Sequence, residues 1–398
     1  MNRVATHRTC AAALVLVLAL VAGGCGSVEG TGDDVVETTA PARSDAAAVP
    51  EPPADADAPL ADVVGDLVMT KLVGPVASVD ELTAIGSLQL GGVILFGPNV
   101  QDSAQLRALT ASLRRARLTT ASAADRPAEL LISVDQEGGA IRNVPFAPPE
   151  RTQPELAAGS VDAARAAARA TAVALRAAGV NIDLGPVADL RQEPNHTMAG
   201  RAFGSDPKLT SPFVAASVAG LQSGGVAATA KHFPGFGASS ANSDEAVAYV
   251  DRSRAELLQT ELAPFRAAID AGTELVMVSH GVYRSLGSRL PGTLDPRIAT
   301  DLLRAELGFE GVAMTDSMNA RGLREAWGDT VPRACPQAIR AGIDLVLLTG
   351  SLETARLCRQ RILDAVEDGS LSETRVRAAV ARVDRLRAHL AAGRVGLG

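Results

Sequence analysis

Lysine is nearly missing from this chain. Lys71, Lys208 and Lys231 are the only three among 38 Lys and Arg residues, so a lysine leaving an apolar run is conspicuous. Aromatic residues are scarce as well, at 3%, and none interleave with a basic patch. With a formal net charge of −7, that argues against a nucleic-acid partner. Five histidines and four cysteines include no pair with zinc-like spacing, so no metal site is expected. No glycine-rich phosphate fingerprint follows the first predicted strand, which argues against a dinucleotide-binding open sheet.

The N-terminal apolar run, Ala11 to Ala22, is too short to span a bilayer as a stable helix. Arg3, His7 and Arg8 precede it and small residues lead to Cys25, the order of an export signal. Val21-Ala22-Gly23-Gly24-Cys25 resembles a bacterial lipobox, which makes residues 1–25 a lipoprotein signal and Cys25 the lipidation site. An ordinary secretory signal with a bystander cysteine is the alternative. Residues 26–59 are rich in Ala, Pro, Asp, Glu and Thr without an apolar period. Such a segment cannot bury enough surface to offset its ordering entropy and reads as a disordered tether. Cys335 and Cys358 remain, either as a disulfide or as two buried thiols.

From residue 60 to 398 short apolar runs alternate with alanine-rich helical patterns. The runs are Gly92–Phe96, Leu130–Asp135, Val180–Leu184, Val226–Lys231, Leu275–His280, Val312–Asp316 and Ile343–Thr349, with an eighth near Val64–Val73. Most are apolar throughout rather than alternating, as expected for parallel strands covered on both faces. Helices are predicted over Ser103–Arg117, Val161–Ala178, Ser253–Ala271 and Pro296–Leu307, with Gly179, Gly272, Gly308 and Gly342 at helix stops. The pattern predicts an α/β fold, a single (β/α)8 TIM-type barrel. Asp135, Asp189, Lys231, His232, His280 and Asp316 fall at the C-terminal ends of five strands, where such a barrel gathers its site. Lys231 and His232 lead into Pro234-Gly235-Phe236-Gly237, a loop too broken for helix or sheet. Alone, that pair would read as a satisfied Lys-His contact.

Taken together, GGVILFGPN (91–99), SVDQEGG (133–139), GPVADL (185–190), GRAFGSDP (200–207), AKHFPGFG (230–237), LPGTLDP (290–296), ELGFEGVAMTDSM (306–318) and AIRAGIDLVLL (338–348) resemble glycoside hydrolase family 3. The likeness is to its single-domain β-N-acetylglucosaminidase branch and covers essentially everything after the tether. It implies release of terminal N-acetylglucosamine from cell-wall or chitin-type saccharides without metal or organic cofactor. Asp316 matches the family nucleophile, although a helix N-cap aspartate is the structural alternative. Asp135, Arg201, Lys231 and His232 match the residues that hold sugar hydroxyls, and His280 a histidine near the pocket floor. A saccharide substrate, a membrane reached through lipid alone, an extracytoplasmic location and a monomer are the expected partners and setting.

Departures from the branch are few. Ala140 stands where an arginine is usual after Gly139, with Arg142 two positions on. Phe236 and Ala238 replace a usual histidine and aspartate, and Asn242-Ser243-Asp244 replaces Asp-Ser-His, whose histidine is the acid/base. Asp244 can take that role if its pKa is raised by burial and by Asp316, with Asn242 as a neutral support. The competing expectation is a sugar-binding cell-surface lipoprotein with impaired acid catalysis, Phe236 and Trp327 being candidate stacking surfaces. A β-glucoside, β-xyloside or modified amino sugar is the third.

Overall fold

The computed structural model describes residues 58–118, 127–192, 196–393 and 395–396. The expected signal segment, Cys25 and the tether through residue 57 lie outside the described residues. Among those described, no helix is long and apolar enough to cross a membrane.

Eight parallel strands form one sheet: β1 Val68–Lys71, β2 Gly92–Leu95, β3 Leu131–Val134, β4 Ile182–Asp183, β5 Ala227–Phe233, β6 Leu275–Val278, β7 Val312–Thr315 and β8 Val346–Leu348. Pairing follows chain order, and β8 returns to pair with β1 through Val68 with Val346 and Met69 with Leu347. A bridge from Met314 to Leu345 brings β7 to β8, so the sheet nearly closes as a TIM-type barrel. Every residue of β2, β3, β6 and β7 is buried, which explains their largely apolar sequences, with Ser133 and Thr315 the polar exceptions.

β4 is shorter than the predicted Val180–Leu184. Asn181 occupies the ladder with its side chain, accepting from the Ile132 amide at 2.7 Å and donating to the Leu130 carbonyl at 2.9 Å. The predicted helix Ser253–Ala271 is broken. Pro264 has no amide to offer the Thr260 carbonyl, and Leu257–Glu261 widens so that the Leu262 amide reaches back to Leu257. The helix Val161–Ala177 forms nearly as predicted, capped by Ser160, whose hydroxyl accepts from the Ala163 amide at 3.1 Å. The four stop glycines all have positive φ, the left-handed turn that ends a helix without Cβ strain.

Arginine abundance finds its use at the N-terminal ends of the strands. Asp66, before β1, lies between Arg117 at 2.5 Å and Arg387 at 2.8 Å. Asp344, before β8, is held by Arg304, by Arg375 at 2.7 Å and by Arg382 at 3.3 Å. Planar guanidinium forks suit such buried carboxylates better than a lysine point charge. Cys335 and Cys358 form a disulfide across 23 residues, tying helix Val331–Ala341 to helix Leu352–Glu367. A bridge of that span typically stabilises by about 2–4 kcal/mol.

Candidate active site

The opposite ends of the strands surround a cavity of about 340 Å³. Asp135 after β3, Lys231 and His232 at the end of β5, and Asp316 after β7 all reach it, together with Arg201 from the loop after β4. A parallel barrel forces this convergence, because every strand points its C-terminal end to the same face.

Lys231 is buried at the centre of a charge cluster. Its ammonium lies 2.6 Å from Asp135 and 2.6 Å from Glu137. Arg201 grips Glu137 with a two-pronged contact, Nε to Oε2 and Nη2 to Oε1, both at 2.8 Å. Burial pushes the Glu137 carboxyl upward, but Lys231 and Arg201 outweigh it and hold it down to about 2. Burial favours an uncharged Lys231, and the two carboxylates overcome it and raise its pKa. Asp135 is more open to the cavity than Glu137, with side-chain exposures of 21% and 2%. Asp135 therefore offers oxygens to a ligand while Glu137 fixes the two cations.

His232 follows Lys231 through a cis peptide. Its Nδ1 lies 2.6 Å from the Asp189 carboxylate, which also accepts from the His232 amide at 3.1 Å and the Phe236 amide at 2.6 Å. One buried carboxylate thus fixes both the imidazole and the loop behind it.

Asp316 caps its own strand end. Its Oδ1 accepts from the Ser317 amide at 2.7 Å, and its amide donates to the Val278 carbonyl at 3.0 Å. Burial works to raise its pKa, but the His232 and His280 rings, the Ser317 amide and Lys231 hold it below the ordinary carboxylate value. His280 does not line the cavity. Its Nε2 donates to the Ser317 carbonyl at 2.8 Å and its Nδ1 meets the Thr293 hydroxyl at 2.8 Å. Burial lowers its pKa against the pull of Asp316, and with both ring nitrogens engaged His280 braces the Asp316 turn.

Asn242, Ser243 and Asp244 line the cavity on the loop after β5. Asn242 Oδ1 accepts from the Asp244 amide at 3.1 Å, which fixes the turn. The loop is pinned to its surroundings: Gly322 donates to the Ser243 carbonyl at 2.9 Å and Arg321 to the Asp244 carbonyl at 3.3 Å. Asp244 is exposed at the mouth, yet burial of its carboxyl, followed by the charge of Asp316, raises its pKa. Water at the mouth keeps that rise moderate.

Two carboxyl groups in one cavity, beside a clamp of alternating charges, is an arrangement for polyhydroxylated ligands. Residues 60–386 match the family described as glycosyl hydrolase family 3 N terminal domain. The chain belongs to this family. An uncharacterized secreted glycosyl hydrolase of Arthroderma benhamiae is 33% identical over 342 residues, 84% of this chain and 94% of that protein. A beta-hexosaminidase of Nitrosomonas eutropha is 33% identical over 296 residues, 72% of this chain and 82% of that protein. The solved family 3 β-N-acetylglucosaminidase of Paenibacillus sp. str. FPU-7 superposes with a TM-score of 0.80 at 34% identity, covering 86% of this chain and 64% of that one.

As a family 3 glycosidase the chain carries site residues that single-position reasoning missed. Glu137 sits inside SVDQEGG, but only the fold shows Lys231 and Arg201 meeting on it. Asp189 was legible as a strand-end carboxylate, while its grip on His232 was not. Arg142 does not replace the arginine usual after Gly139: it pairs with Glu150 at 3.6 Å, and Ile141 lines the cavity instead. Phe236 lines the cavity, whereas Trp327 packs against the core outside it. Among the described residues no group of three or more His, Cys, Asp or Glu is arranged to hold a metal ion.

Proposed function

We propose that this glycosidase is a retaining hydrolase that removes terminal β-linked N-acetylglucosamine, or a closely related sugar, from cell-wall or chitin-type saccharides. Asp316 is the nucleophile and Asp244 the acid/base. The observation that carries the reading is the opposite displacement of two carboxyls facing one cavity: Asp316 held low, Asp244 raised. Retaining glycosidases need that division of labour, one group ionised to attack and one protonated to release the leaving oxygen. A sugar over the mouth removes water from Asp244 and strengthens its rise. Asp135, Lys231, Arg201 and His232 hold the hydroxyls. The cavity is at the small end of ligand-pocket sizes, suited to one terminal sugar. The N-terminal signal and Cys25 support an extracytoplasmic, lipid-anchored protein.

Paired substrates test the reading. An aryl β-N-acetylglucosaminide with a good leaving group needs no acid, whereas a natural disaccharide does. Turnover of both supports Asp244 as a working acid. Turnover of the aryl glycoside alone returns the protein to the impaired, sugar-binding class.

A further inference from the structure

Two buried carboxyls lie beneath the loop that follows His232, in opposite surroundings. Asp189 accepts from His232 and Phe236. Glu261 is 1% exposed, and neither of its oxygens has a hydrogen-bond partner within the protein. Arg252 Nε stands 3.6 Å from Oε1, an ion-pair contact but beyond hydrogen-bond range. Glu261 packs directly on the loop at Gly235: a Cβ there would stand 2.8 Å from Glu261 Cβ and 3.5 Å from Oε2. Gly235 has φ +117°, and its carbonyl accepts from the Tyr283 hydroxyl at 3.1 Å. The sugar clamp and the two proposed catalytic aspartates make no use of Glu261.

We propose that Glu261 is a positioning residue for the loop Pro234–Gly237, seated against Gly235, and that its carboxyl must be uncharged for the loop and His232 to keep their places. This rests on the glycosidase reading above. A carboxyl without donors is tolerated in a buried site when protonated and costly when ionised. The groups facing it are Arg252, which favours ionisation, and Asp189, Glu256 and the buried Tyr283 hydroxyl, which do not supply a donor. Burial first, then the charges of Asp189 and Glu256, lift Glu261 to about 7 against the pull of Arg252. Ionisation places a second negative charge beside Asp189. Water and Arg252 are then drawn toward Glu261, the loop lifts at Gly235, and the hold of Asp189 on His232 loosens.

The test is the pH profile of kcat/KM from pH 5 to 9 on an aryl glycoside with a good leaving group. The Asp244 proton does not shape that step. In wild type and in Asp244→Asn, kcat/KM at pH 8 is expected at about one-tenth of its low-pH plateau, as only the protonated form of a group near 7 is competent. In Glu261→Gln the fall is absent. A flat wild-type profile, or a fall that survives Glu261→Gln, overturns the proposal. Thermal melting provides a readout independent of turnover. Because the folded value lies above the ordinary 4.5, the stability it confers is present below pH 4.5 and lost as pH rises through about 7. Glu261→Gln therefore gains melting temperature relative to wild type between pH 5 and pH 8, and an unchanged difference overturns the proposal. If wild type turns over no aryl glycoside, the glycosidase reading fails and the melting comparison alone decides the place of Glu261.

Discussion

Asp316 acts on Asp244: its charge is the second cause, after burial, of the raised Asp244 carboxyl across their shared cavity. In the proposed roles Asp244 must be protonated to release a poor leaving group and Asp316 ionised to attack. Cleavage of a disaccharide is therefore expected to fall as pH rises through the raised Asp244 value. Asp244→Asn should lower kcat/KM on the disaccharide by about 10²–10⁴-fold and spare kcat/KM, though not kcat, for a good leaving group, because release of the glycosyl-enzyme still needs the base. Equal losses on both substrates would count against the acid role.

Gly322 sets the height of the Asp244 loop. A Cβ at that position would stand 2.0 Å from the Ala246 carbonyl oxygen and 2.7 Å from that of Ser243. Gly322→Ala must lift the loop. A displacement of about 1 Å can cost roughly 10²-fold in rate, so kcat on the disaccharide should drop by that order. Circular dichroism and melting distinguish a displaced loop from a misfolded chain.

The Glu137 cluster makes the fold acid-sensitive. The folded value near 2 lies below the ordinary 4.5, so the contribution is present above pH 4.5 and lost as pH falls toward 2. Its size is about 3 kcal/mol, readable as a falling urea midpoint over that window. Glu137→Gln leaves Lys231 and Arg201 against a neutral partner and should destabilise by about 3–5 kcal/mol at pH 7. Stability at pH 7 equal to wild type would remove Glu137 from the centre of the clamp.

With Asp244 as the proposed acid/base, phosphate is expected to be a poor acceptor. An ionised Asp244 repels an anion by about 1 kcal/mol or more at 4 Å. Comparable rates in phosphate and in a non-phosphate buffer are expected. A strict phosphate requirement would make the enzyme a phosphorylase.

Much of this was legible along the chain. Apolar runs ending in Asp135, Lys231 and Asp316 announced a barrel and the face that carries its cavity, because both follow from local pattern. Contacts that join distant segments were not. Glu137 meets Arg201 64 residues away, and nothing in either neighbourhood shows it. His280 is as polar as His232, yet Thr293 and the Ser317 carbonyl occupy its ring nitrogens. The widened turn at Leu257–Glu261 traces to Pro264, a local cause that the apolar period concealed.

The most direct measurement is hydrolysis of 4-nitrophenyl β-N-acetylglucosaminide by wild type, Asp316→Ala and Asp244→Ala, with and without azide. Wild type should turn over, Asp316→Ala should be inactive, and azide should restore Asp244→Ala with formation of the β-glycosyl azide. Activity retained in Asp316→Ala, or an α-glycosyl azide, would contradict a retaining mechanism with Asp316 as nucleophile and Asp244 as acid/base.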